Sequence, residues 1–85
     1  LRQAGKDSYI VEGRINLDDL GESLNISLPA DEVDILGGFL YNLAGRVPEE
    51  GEEIEFEGIR FRIERLEGQR IAEVLLTMPA ATGNS

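Results

Sequence analysis

Apolar positions recur along the chain with three different rhythms. Residues 8–13, Ser-Tyr-Ile-Val-Glu-Gly, form a short apolar run closed by Gly13 and predict a strand. From Asn16 the period lengthens. Leu17, Leu20 and Leu24 stand at i, i+3 and i+7, one stripe of a helix. Asn16 is a good N-cap, and Asp18 and Asp19 put negative charge in the first turn, where the helix dipole favours it. A short helix over 17–24 is predicted. Leu28-Pro29-Ala30 is an extended break. Beyond it Val33, Leu36, Leu40 and Leu43 repeat at helical spacing, and Ile35 and Phe39 widen the apolar face. This second helix is expected at the centre of the core, capped by Asp31 or Asp34 and stopped by Gly45, with Pro48 just beyond. Gly37-Gly38 lies inside the pattern at a cost of about 1 kcal/mol per Gly relative to Ala. Such a pair suggests that another backbone or a large side chain packs closely there.

The last third alternates with period two. With Glu57-Gly58 as a two-residue turn, Phe56 faces Ile59, Glu55 faces Arg60, Ile54 faces Phe61 and Glu53 faces Arg62. Apolar meets apolar and acid meets base at every step, which sets the register. A second turn near Gly68-Gln69 pairs Ile63 with Val74, Phe61 with Leu76, Ile59 with Met78 and Glu67 with Arg70. The same register opposes Glu64 to Glu73, so a bulge near Arg65-Leu66 is expected. Pro79 ends the strand. The predicted order is β-α-α-β-β-β, an α+β fold with a small, mainly antiparallel sheet packed against two helices. The first strand joins the sheet beside one of the other three; the pattern does not choose which. One domain is expected over 8–79, between a flexible tether at 1–7 and a flexible tail at 80–85.

Composition narrows the chemistry. The chain has 85 residues, 17 acidic and 8 basic side chains, a net charge of −9, and no Cys, His or Trp. That suits one domain with a modest core. The missing Cys removes disulfides, thiol nucleophiles and Cys metal sites. The missing His removes Ser-His-Asp triads and the usual general base near neutral pH. No apolar run approaches the ~20 residues of a membrane span, so direct membrane insertion of this segment is not expected. The charge argues against nucleic acid as a partner. The chain opens on Leu1, which fits a piece excised from a longer protein.

Three clusters invite a functional reading. The acidic segment 49–57 makes Glu50 and Glu52 the candidate ligands of a hard cation such as Mg²⁺. Against this, alternating Glu on a strand is ordinarily a solvated face that blunts edge pairing. Arg60, Arg62, Arg65 and Arg70 gather half of the basic residues on one hairpin. They could hold an anion, although ion pairs with Glu53, Glu55 and Glu67 are the simpler reading. Asp31, Glu32 and Asp34 fit helix capping better than a cation site. Ser8, Ser23, Ser27 and Thr77 have no base partner, and no catalytic residue is assigned. Phe39 and Tyr41 are candidates for an interaction surface, since both cannot easily face the core that holds Leu36 and Leu40. The alternative is a core Phe39 and a half-buried Tyr41.

Read in order, these residues resemble a known family. A strand ending in Gly13, the 17–24 helix, Leu28-Pro29, Asp34-Ile35-Leu36-Gly37-Gly38, Arg46-Val47-Pro48 with Gly51, the hairpin and Arg70-Ile71 look like the CorC/HlyC transporter-associated domain over residues 8–78. Members commonly carry Thr where this chain has Ile35. The resemblance implies a fold similar to a subdomain of FAD-binding oxidases. It implies a non-catalytic regulatory or interaction domain of a magnesium and cobalt efflux or haemolysin-like protein. Its implied place is the cytoplasmic face of the membrane, with CBS and transmembrane domains of the parent as partners. A second copy of the chain is a further candidate partner. Two alternatives accompany this reading: a module binding FAD or an adenine nucleotide near the second helix and the arginine hairpin, and a weak Mg²⁺ sensor at 49–57.

Overall fold

A computed structural model describes residues 1–79. The alternating stretches close into one antiparallel sheet. Its strands are β1 (Arg2–Gln3), β2 (Ser8–Glu12), β3 (Glu53–Phe56), β4 (Ile59–Glu67) and β5 (Arg70–Thr77), in the order β1-β2-β5-β4-β3. Two helices, α1 (Leu17–Leu24) and α2 (Leu36–Ala44), lie between β2 and β3 in the chain. Leu17 and Leu20 of α1 and Leu36, Phe39 and Leu40 of α2 join Val11, Ile59, Phe61, Ile63, Ile71, Val74 and Leu76 in a single buried cluster. The expected α+β arrangement is therefore present, with one short strand more.

That extra strand lies inside 1–7, the segment expected to be a tether. Arg2 pairs with Ile10 and Gln3 with Tyr9. Both β1 residues are exposed, so no apolar alternation announces them. β2 settles the open question of its place by pairing with β5, Val11 against Val74 and Glu12 against Glu73. The expected tail at 80–85 lies outside the described residues.

The meander follows the predicted register. Glu53 opposes Arg62, Ile54 Phe61, Glu55 Arg60 and Phe56 Ile59. Glu57 and Gly58 have φ of 50° and 86°, the double positive φ of a type I′ hairpin turn. The second hairpin shifts register between Ile63 and Leu66, so that Arg65, not Glu64, faces Glu73. The bulge turns a like-charge pair into an opposite-charge one. The β4–β5 ladder ends at Arg60–Thr77, and the Met78 N–H turns to the carbonyl of Asp7 at 2.8 Å, so the expected Ile59–Met78 pair is not part of it.

Helix α1 has its expected bounds, and the Asn16 side-chain carbonyl accepts from the Asp18 N–H at 2.8 Å. Helix α2 departs from expectation at its start. Its N-cap is Ile35, extended at φ −125°, and no side chain caps it, neither Asp31 nor Asp34. The backbone is already committed there. The Asp34 carbonyl accepts from Leu17 N–H at 2.9 Å, and Leu36 N–H donates to Ile15 at 3.0 Å. These bonds hold 34–36 extended beside the start of α1. Ile35 is consequently 41% exposed, and Leu43 is 40% exposed, so the apolar face of α2 is narrower than its sequence suggests. The glycine pair does what its position implies. Gly37 N–H donates to the Gly13 carbonyl at 2.7 Å, and a Cβ on Gly37 would stand 3.2 Å from that oxygen.

Candidate functional site

The structure separates the two residues expected to form an interaction surface. Phe39 is 3% exposed and packs edge-to-face on Phe56 and Phe61, with centroids 5.0 and 6.0 Å away. It is core, because the turn of helix that presents Leu36 and Leu40 inward carries it inward too. Tyr41 is half-buried, and its hydroxyl donates to the backbone carbonyl of Gln69, tying α2 to the β4–β5 turn.

Glu50 and Glu52 do not converge. Glu50 reaches across to accept from the Leu66 N–H at 2.9 Å, at the bulge of β4. Glu52 accepts from the Glu49 N–H at 2.9 Å and from the Arg46 guanidinium at 2.6 Å. The Glu49 amide, and then Arg46, hold the Glu52 carboxyl below the ordinary value of 4.5. These bonds shape the loop between α2 and β3. Among the described residues no three acidic side chains cluster as metal ligands would.

The arginines are mostly paired, but not always as the register suggests. Arg60 lies 3.8 Å from Glu53, Arg62 lies 3.7 Å from Glu64, and Glu55 has no ion-pair partner among the described residues. Arg65 bonds Glu67 at 2.6 Å and lies 3.9 Å from Glu73. The Glu67 bond raises the Arg65 pKa, and Arg65 in turn lowers that of Glu67. Arg70, expected to pair with Glu67, faces it in register but has no carboxylate within 4.0 Å among the described residues.

Arg70 stands at the junction of two depressions. One, of about 200 Å³, is apolar, with Gly13, Gly38, Ile35, Tyr41 and Ile71 around it and Arg14 and Arg70 at its margin. The other, of about 260 Å³, is charged, with Arg14, Arg65 and Arg70 facing Glu12, Glu67 and Glu73. Arg14, Arg70 and Ile71 line both, but the alternation that buries Val11 and Val74 turns Glu12, Glu73 and Arg65 to the opposite face. The apolar depression therefore lies on the helix side of the sheet and the charged one on its outer face, with Arg70 at the rim between them. The floor of the apolar depression depends on glycine. A Cβ on Gly13 would collide with the Ile71 carbonyl, where β2 crosses close to β5. Sequence reasoning expected a pocket near the second helix and the arginine hairpin, and the apolar depression lies there, but its lining by Gly13, Arg14 and Ile35 was not foreseen. The signal was present in fragments: Gly13, Gly37-Gly38 and Arg70-Ile71 are all among the residues that carry the family resemblance.

Comparison with known proteins bears on what this fold belongs to. The family model of the CorC_HlyC transporter associated domain matches residues 2–80. The chain is 28% identical over 78 residues to the magnesium and cobalt efflux protein CorC of Pasteurella multocida (strain Pm70). That match takes in 92% of this chain and 26% of the relative, so the chain spans about a quarter of the protein it resembles. The transporter associated domain of a CBS domain protein from Porphyromonas gingivalis superposes with a TM-score of 0.80 at 28% identity, covering 92% of this chain and 94% of that one. The CorC_HlyC domain of a Xylella fastidiosa Temecula1 hemolysin, solved in complex with Mg++ and Mn++, gives 0.78 at 28% identity, covering 89% and 92%. With the sheet, the two helices and nearly the full length in agreement, the chain belongs to the CorC_HlyC transporter associated domain family.

Proposed function

We propose that this chain is a non-catalytic regulatory domain that modulates ion efflux by a longer, membrane-associated protein of the magnesium and cobalt efflux type. The observation that carries this reading is the match over 92% of the chain to only 26% of a CorC efflux protein. The domain is thus one module of that relative, and the composition of this chain leaves it without Cys or His chemistry of its own. Its partners are the CBS and transmembrane domains of the parent, and its place is the cytoplasmic face. The test is Co²⁺ retention in cells that carry the longer protein, intact or lacking residues 8–79, at matched membrane levels. A regulatory coupling changes efflux by about fivefold or more. Equal efflux from both forms would overturn the reading.

A divalent-cation response is the second reading, supported by the Mg++ and Mn++ complex of the Xylella relative. A Mg²⁺ titration followed by amide NMR at constant ionic strength, with Ca²⁺ as control, separates the two. The regulatory reading expects small shifts spread over many carboxylates. Saturable shifts confined to 49–57, lost in Glu50→Gln with Glu52→Gln, would favour the cation sensor.

A further inference from the structure

We infer that the apolar depression lined by Ile35, Tyr41 and Arg70 is a docking site for a segment of a partner protein that seats a single large apolar side chain beside one carboxylate. The inference rests on the interaction-domain reading above and names the chemistry of the partner.

Size selects the first half of the occupant. The apolar depression holds about 200 Å³, below the roughly 300–1,000 Å³ of pockets that bury a drug-sized ligand. It suits one Leu- or Phe-sized anchor, the way a protein partner commonly fills a pocket. Ile35 stands open at its wall, 41% exposed, because the bonds of Asp34 and Leu36 to the α1 side hold it out of the core.

Charge selects the second half. In the neighbouring charged depression Arg14 is paired with Glu12, and Arg65 with Glu67 and Glu73. Arg70 alone of the three has no carboxylate within 4.0 Å among the described residues, although its charge reaches Glu67 across the ladder, and it stands at the rim of the apolar depression. A carboxylate one or two residues from the anchor completes it with a charge-assisted bond. Glu12 and Glu67, just beyond the rim, disfavour a partner carrying several acidic groups, so the recognised unit is one apolar side chain with an adjacent acid.

The test uses the isotope-labelled 85-residue chain and an acetylated, amidated pentapeptide, Gly-Leu-Asp-Gly-Gly, with a second peptide carrying Asn for Asp. The expected result is saturable shifts of the Gly37, Gly38, Tyr41, Arg70 and Ile71 amides with the first peptide. The Asn peptide, and the Arg70→Gln and Ile35→Ser variants, should each bind about tenfold more weakly. Both substituted residues are exposed, so an unchanged spectrum elsewhere certifies the fold. Absence of saturable shifts, or equal binding by both variants, would overturn the inference. So would saturation of the same amides by FAD and not by the peptide, which would make the depression a small-ligand site. An efflux effect that survives a failed peptide titration removes only the docking site, and the reverse pattern removes the regulatory reading.

Discussion

At the scale of single residues, glutamates that look alike in sequence do different work. Glu52 is bonded by the Glu49 amide and Arg46, whereas Glu55 has no ion-pair partner among the described residues. The Glu52 carboxyl titrates below its ordinary value of 4.5. A carboxyl whose folded pKa is depressed stabilises the fold above the unfolded value and loses that contribution as pH falls through the folded one. Urea unfolding of the native chain and of Glu52→Gln is therefore expected to differ most near neutral pH and to converge as the pH falls below 4.5. A difference that is constant across that range would show that the charge of Glu52 contributes nothing. The segment 49–57 invited a cation reading because its carboxylates are dense in sequence. Their geometry spreads them over a backbone amide of β4, a loop amide and a guanidinium.

At the scale of elements, the hairpin between β3 and β4 was legible residue by residue. Apolar against apolar and acid against base marked the register across the two strands, a local signal, even though the ion pairs that form are Arg60–Glu53 and Arg62–Glu64. The turn contains one imperfect residue. Glu57 adopts φ 50°, a left-handed conformation that Asn accepts more readily than Glu. Glu57→Asn should stabilise the chain by roughly 0.5–1 kcal/mol, seen as a higher urea midpoint with an unchanged slope. No gain would mean that the side chain of Glu57 already compensates its backbone. The start of α2 was less legible for the opposite reason. Asp31 and Asp34 are good caps in isolation, but Ile15 and Leu17 claim the backbone of 34–36 first.

At the scale of the whole molecule, one small core holds two helices to the sheet. Phe39 is its keystone, since its ring meets Phe56 of β3 and Phe61 of β4 from α2. Phe39→Ala should cost about 3–5 kcal/mol, a large share of the roughly 5–15 kcal/mol available to a domain. Equilibrium unfolding in urea measures it. A loss below ~1 kcal/mol would contradict the buried placement. The same core leaves the outer end of α2 uncovered, and there Ile35, Tyr41 and Arg70 line the apolar depression.

Taken alone, the amino-acid order determined the class of fold, the bounds of α1, the register of both hairpins, the need for a bulge and the close approach at Gly37-Gly38. All of these follow from periodicity, pairing across a few residues, or the volume of a missing side chain. Only the tertiary structure decided that β2 lies against β5, that Phe39 is buried and Ile35 exposed, that Arg2–Gln3 add a strand, and that Gly13, Tyr41 and Arg70 line one depression. Each of these depends on contacts between segments far apart in the chain. Such contacts leave no period in the sequence, because their geometry is set by which competing backbone and apolar partners are satisfied first in three dimensions.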